Sequence, residues 1–169
     1  MELIVLASGS GKRLKRINPN RPKCLLKISD DKTILDYTGK IFKKFNTVYL
    51  VGGYKFQLLK RFEKKNVKLI FNKDFKNSNM VQSLYKVKNL ISSDIIVIYS
   101  DILFDLSIVN ELKNKKNNVI PLKKNWLQVW RARMSEKEII KANIDTETIC
   151  CDGSKDSLGD PAEYFTFDS

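Results

Sequence analysis

The stretch Leu3-Ile4-Val5-Leu6-Ala7-Ser8-Gly9-Ser10-Gly11-Lys12-Arg13-Leu14 decides how this chain is read. Its apolar run, Leu3 to Ala7, reads as a buried strand, and it breaks straight into a Gly/Ser turn. Glycines placed directly after a strand let backbone N–H groups turn inward around phosphate oxygens. Arg13 and, further on, Lys23 can add positive charge to such a cradle. Two familiar nucleotide loops are excluded by position. A Walker loop needs Gly five residues before Gly11 and Ser or Thr after Lys12, where Leu6 and Arg13 stand. The dinucleotide fingerprint fails because Leu14 occupies the place of its third glycine.

Outward from this stretch, apolar runs alternate with segments of helical period. Thr33 with Asp36 resembles a capping box, followed by Ile34, Leu35, Thr38, Ile41, Phe42 and Phe45 on one helical face. Thr47 to Val51 is a strand ending at Gly52-Gly53. Phe56, Leu59 and Phe62 mark a second helix, and Val67 to Phe71 a third strand. Asn79 starts a helix carrying Met80, Val81, Leu84, Tyr85 and Val87. Ile95 to Tyr99 is the most apolar strand. Asp105 can cap a helix carrying Leu106, Val109 and Leu112, ahead of a strand from Val119 to Leu122. Past Trp126 the pattern changes to short strands at Ile139 to Ile144, Thr146 to Cys151 and Tyr164 to Phe167. Such alternation predicts an α/β fold, a three-layer α/β/α sandwich around a mostly parallel mixed sheet covered on both faces. Ligands of such sheets bind beyond the carboxyl ends of the strands. That singles out Ser8 to Arg13, Gly52 to Tyr54, Asn72 to Ser83 and Ser100 to Leu103.

Composition narrows the chemistry. With 169 residues, 43% of them hydrophobic, the chain suits one domain with a real core. No apolar run is long enough to span a bilayer, and no signal peptide is evident. The three cysteines, Cys24, Cys150 and Cys151, have neither disulfide-framework nor zinc spacing, which points to a reducing cytoplasm. With no histidine, Ser-His-Asp and Cys-His catalysis and histidine metal sites are excluded. The net charge of +12 comes from 25 Lys and 6 Arg against 19 acidic residues. Arg is the preferred reader of bases and phosphates, so a Lys-dominated excess reads as a solvated basic surface and not a nucleic-acid face. No nucleic-acid or membrane partner is expected; the oligomeric state is left open.

The first motif, with Arg21-Pro22-Lys23-Cys24-Leu25-Leu26 after it, resembles the signature of the nucleotidyltransferases that activate sugar phosphates and small alcohol phosphates. That signature runs roughly L-A-A-G-x-G-x-R-L, a short loop, then P-K-x-L, with Ser8 here in place of the second Ala. Val51-Gly52-Gly53-Tyr54 resembles the family's strand-end V-G-Y segment. Phe71-Asn72-Lys73-Asp74 followed by Asn79-Met80-Val81-Gln82-Ser83-Leu84 is similar to the N-M-x-x-S-L segment of the phosphocholine and aminoethylphosphonate cytidylyltransferase branch. Asn79 can equally cap its helix, and Ser83 can equally be a solvated helix position. Tyr99-Ser100-Asp101 ends the central strand, where the family places an Asp that binds Mg2+; the plain alternative is a turn Asp. Trp126, Trp130 and Arg133 match a W-x-x-x-W-x-x-R segment that flanks the acceptor pocket in this branch. The same spacing suits an amphipathic helix burying two Trp.

The resemblance implies CTP-dependent transfer of a cytidylyl group, with Mg2+, to a small phosphorylated or phosphonate acceptor, giving a CDP-activated headgroup for a cell-surface glycan or lipid. It implies that Lys23, Arg13 and Asp101 are catalytic, with Asp101 on the metal. Leu6, Ala7, Ser8, Gly9, Ser10, Gly11, Tyr54, Asn79 and Ser83 would bind the nucleotide. Trp126, Trp130, Arg133 and Lys155 would face the acceptor. Residues 1–169 would form a single nucleotidyltransferase domain, 1–122 as nucleotide-binding core and 123–169 as acceptor-binding part. Family enzymes usually supply a second metal-binding Asp near their C-terminus. Here the chain stops at Asp168-Ser169, so the expectation is either a truncated C-terminal part or a missing second ligand. The rival readings are a sugar-1-phosphate uridylyl- or thymidylyltransferase, an inactive nucleotide-binding fragment, and a basic nucleic-acid-binding protein.

Overall fold

A computed structural model describes residues 1–9, 11, 14, 19–123 and 163–167. Four strands form one sheet: β1 (Glu2–Ala7), β2 (Val48–Gly52), β3 (Val67–Phe71) and β4 (Ile95–Tyr99). Their order is β3-β2-β1-β4 and every pairing is parallel. Each of the four strands expected between Leu3 and Tyr99 is therefore present, within a residue or two of its predicted ends. The chain divides into two compact units, 1–109 and 110–169. The first holds this sheet. The second contains β5 (Val119–Lys123) and β6 (Glu163–Phe167), paired in parallel. The strands expected at Ile139 to Ile144 and Thr146 to Cys151 lie outside the described residues.

The apolar runs form strands because both sides of β1 and β2 are buried. Leu3, Ile4, Val5, Val48, Leu50 and Val51 are all fully enclosed. On one face, Ile4, Tyr49 and Val51 pack with Val87, Leu84 and Ile91 from α2 (Met80–Tyr85) and the turns after it. On the other, a 3-10 helix, Phe56–Phe62, comes so close to β2 that a Cβ on Gly52 would sit 2.5 Å from Leu59 Cδ1. Helical segments thus flank the sheet on both sides. The α2 layer is only six residues long, about 9 Å. It leaves Ile95, Val97 and Tyr99 of β4 each about 40% exposed.

Two helical segments differ in kind from the expectation. Thr33 and Asp36 do form a reciprocal capping box on α1 (Ile34–Thr38), but the helix tightens to 3-10 geometry from Gly39 to Lys44. Gly39 has the weakest helical preference of any residue from Ile34 to Lys44, so the switch falls there. The Phe56–Phe62 segment is 3-10 throughout. Its apolar residues, Phe56, Leu59 and Phe62, recur every three positions, the period at which 3-10 side chains align. Asp105 accepts from the Ser107 N–H at 2.8 Å, one turn ahead of α3 (Ile108–Lys113).

The order β3-β2-β1-β4 has a topological consequence. The chain moves outward from β1 to β3, then crosses back to place β4 on β1's other side. The strand order therefore reverses between β1 and β4, and beyond their carboxyl ends lies the crevice in which open α/β sheets bind ligands.

Candidate active site

A cavity of about 210 Å³ occupies that crevice. Leu6, Ala7, Ser8 and Gly9 leave β1 along one wall, and Tyr99, Ser100 and Asp101 leave β4 along another. Lys23 and Cys24 close a third side, and Phe75, Ser78, Asn79, Met80 and Ser83 a fourth. Lys23 Nζ donates to Asp101 Oδ2 at 2.7 Å across 78 positions of sequence. Both side chains are about one-third exposed (35% and 32%). A pair so placed stabilises a fold by at most about 1 kcal/mol, so it is free to exchange partners.

The Ser8 substitution in the glycine loop has a local explanation. Its hydroxyl donates to the Val51 carbonyl at 3.2 Å, tying the loop to the end of β2. Gly53 continues that tie. A Cβ there would meet the Ser8 carbonyl oxygen at 2.7 Å and Phe75 Cβ at 2.4 Å, so only glycine lets these loops close together. Gly11 takes a positive φ of 59°, and a Cβ on it would lie 3.5 Å from Lys23 Cγ. The glycine loop and the Pro22-Lys23 turn are therefore neighbours.

Asn79 caps α2 and lines the cavity at once. Its side chain accepts from the Gln82 N–H, while Gln82 accepts from the Asn79 N–H, both at 2.9 Å. Ser83 is not solvated but buried, donating to the Asn79 carbonyl at 3.1 Å. Tyr54 differs from expectation: it does not line the cavity. Its hydroxyl donates to the Pro19 carbonyl at 2.7 Å, and its ring stands 6.4 Å from Phe75, which takes the cavity wall instead. Ser78, Met80 and Ser100 fall within the ranges singled out beyond the strand ends, without a role assigned to them, and Cys24 and Tyr99 were passed over as lining residues. The Tyr99 hydroxyl donates to Met80 Sδ at 2.7 Å, joining β4 to the start of α2. Burial pushes the Cys24 thiol up to about 12, only partly offset by a hydrogen bond with Ser100. It stays protonated at neutral pH, a wall and not a nucleophile. Ser10, Arg13, Trp126, Trp130, Arg133 and Lys155 lie outside the described residues.

A hard dication fits this donor set. Mg2+ is commonly held by one or two carboxylates together with substrate phosphates. Asp101 offers one carboxylate at the cavity edge, and no cluster of three or more His, Cys, Asp or Glu exists among the described residues.

Comparison with known proteins gives this geometry a family. The profile of the MobA-like NTP transferase domain matches residues 3–127. The chain belongs to this family. As an NTP transferase domain it is similar to a CTP:phosphoglutamine cytidylyltransferase of Campylobacter jejuni subsp. jejuni, 30% identical over 146 residues, covering 80% of this chain and 57% of the relative. It is similar also to a choline-phosphate cytidylyltransferase of Streptococcus pneumoniae, 32% identical over 117 residues, covering 66% of this chain and 50% of the relative. Among solved structures, the CTP:phosphocholine cytidylyltransferase LicC from Streptococcus pneumoniae superposes with a TM-score of 0.53 at 30% identity, over 59% of this chain and 44% of that one. The chain thus spans about half the length of these relatives. Among its described residues no helix is long and apolar enough to cross a membrane.

Proposed function

We propose that this NTP transferase domain transfers a cytidylyl group from CTP to a small phosphorylated or phosphonate acceptor. The observation that carries the reading is the Lys23–Asp101 pair on the cavity between the carboxyl ends of β1 and β4. A cation and a metal-binding carboxylate at one edge are what a polyphosphate with Mg2+ requires. The choice of CTP is supported by two relatives, a CTP:phosphoglutamine cytidylyltransferase and a CTP:phosphocholine cytidylyltransferase.

In the proposed reaction an acceptor phosphate or phosphonate oxygen forms a bond to the α-phosphorus of CTP. The bond to the β-phosphate oxygen breaks, and pyrophosphate leaves with that electron pair. The nucleophile is already ionised at neutral pH, so a chain without histidine can run the step. Catalysis is then positioning and charge neutralisation. The backbone from Ser8 to Gly11, with Lys23 and Arg13, would hold the triphosphate. Lys23 would leave Asp101 for the phosphates, freeing the carboxylate for Mg2+. The bound Mg2+ would supply neutralisation of phosphate charge. Asn79 and Ser83 would border the base and ribose. Trp126, Trp130, Arg133 and Lys155 would serve the acceptor, with Trp faces suited to a cationic ammonium head. The product would be a CDP-activated headgroup for a cell-surface glycan or lipid.

The test is pyrophosphate release with CTP, UTP, ATP or GTP, each offered phosphocholine, phosphoethanolamine, aminoethylphosphonate and an amino-acid-linked phosphate. Release with CTP and one of these acceptors supports the reading. Release only with UTP and a sugar 1-phosphate would move the protein to the sugar-nucleotide branch.

A further inference from the structure

We propose that Asn72 is a positioning residue of the cavity, fixing the 73–79 segment whose side chains form one wall; the inference rests on the nucleotide reading above. Asn72 follows β3 directly and is fully buried, yet it carries a polar amide. Every polar group of that amide has a partner. Its Nδ2 donates to Ser78 Oγ at 2.8 Å and to Ser83 Oγ at 3.1 Å, and its Oδ1 accepts from the Asp74 N–H at 3.1 Å. Its backbone N–H donates to the Gly52 carbonyl at 2.8 Å, and its own carbonyl accepts from the Phe75 N–H at 3.3 Å.

One side chain therefore holds the segment at its start (Asp74), at its end (Ser78) and against α2 (Ser83). Between and beside these points lie Phe75, Ser78, Asn79 and Met80, all on the cavity. The close approach of Phe75 to Gly53 and the 2.7 Å ion pair of Lys86 with Asp74 restrain the segment as well. The chemistry demands an amide. A leucine of similar shape would leave the Asp74 N–H and the serine hydroxyls without their partner. An aspartate could accept from Asp74 N–H but could not donate to Ser83, whose own proton goes to the Asn79 carbonyl. It would also bury a charge. Asn72 touches no cavity surface itself, so its effect on a ligand passes through the segment.

The experiment compares wild type with Asn72→Ala and with Ser78→Ala, a gentler variant that removes one acceptor at a half-buried position. Hydrogen exchange reports residues 74–79 against β1, and steady-state kinetics report KM and kcat for CTP. Losing the buried amide should speed exchange in 74–79 and raise the KM for CTP about tenfold in Asn72→Ala, with β1 exchange and kcat nearly unchanged. Ser78→Ala should show a smaller rise in both; because Ser78 lines the cavity itself, Asn72→Ser, which leaves every lining side chain in place, decides the matter should Asn72→Ala fail to fold. Unchanged exchange in 74–79 overturns the proposal. Faster exchange with an unchanged KM also overturns it, since Asn72 would then serve the fold alone. A wild-type chain that binds none of the four nucleotides overturns the nucleotide reading, and this proposal with it. A wild type that binds CTP beside variants that bind it equally well overturns only the role of Asn72.

Discussion

Arg61 reaches Asp36 at 2.8 Å, and Lys23 reaches Asp101 at 2.7 Å; in both pairs the side chains keep some contact with solvent. Their surroundings separate them. Asp36 Oδ2 also accepts from the Thr33 N–H at 2.8 Å and from Thr33 Oγ1 at 2.6 Å, inside the capping box of α1. Burial alone would raise its carboxyl, but the Thr33 hydrogen bonds and the Arg61 guanidinium outweigh it and hold it below the usual carboxylate range. Asp101 has one hydrogen-bonded partner among the described residues, a lysine on a flexible stem. A carboxylate shared with the backbone is a structural part. One held by a single lysine at the edge of a cavity can be taken over by a metal, and the lysine by a phosphate. Under the proposed function the first pair serves stability and the second the reaction.

The largest effect that could break this assignment belongs to Asp101→Asn. It should lower turnover about a thousandfold, since the charge a metal would stabilise is worth several kcal/mol. Circular dichroism should show an intact fold; an unfolded variant would move Asp101 to the structural side. Lys23→Ala comes next, with kcat expected to fall roughly 100- to 1000-fold. Its stability should change by no more than about 0.5 kcal/mol. Lys23→Arg should recover only part of the rate, because a planar fork does not replace a compact point charge.

Thr33→Ala sharpens the other side. Removing this cap should destabilise the protein by about 1 kcal/mol in denaturant unfolding, with kcat unaltered. The smallest effect is on pH dependence. The folded carboxyl of Asp36 is depressed, so its contribution is present above its unfolded value, about 3.9. It is lost as pH falls through the lower folded value. An Asp36→Asn variant should therefore lose part of the wild type's decline in stability on acidification below about pH 4. An identical acid decline in both would remove Asp36 from the stabilising set.

Much of the sheet was legible because it rests on local apolar runs: Leu3 to Ala7 and Ile95 to Tyr99 could hardly be anything but strands, although alternate residues of the second stay about 40% exposed. Both helix starts were legible too, because Thr33–Asp36 and Asn79–Gln82 interact over three residues. The 3-10 character of Phe56–Phe62 was present in its three-residue spacing, but that spacing also suits one face of an α-helix. The lining of the candidate cavity was legible at Ser8, Gly9, Lys23, Asn79, Ser83 and Asp101, motif residues that the structure brings together there. Tyr54 was not, since its hydroxyl is drawn to the Pro19 carbonyl by an approach that spans 35 positions. Asn72 was quoted within a motif without its task, because its partners Ser78 and Ser83 are set by the turn and not by any period.

Direct binding of CTP with Mg2+, followed by titration calorimetry on the wild type, Lys23→Ala and Arg61→Ala, tests the central claim most directly. Both lysine and arginine variants lose one member of an ion pair of nearly the same length, 2.7 and 2.8 Å. The account predicts that Lys23→Ala weakens binding at least about tenfold, as expected for a lost charge-assisted contact to phosphate, while Arg61→Ala binds as the wild type does. Equal affinity in the wild type and Lys23→Ala would contradict it, and the crevice between β1 and β4 would not be where the triphosphate lies.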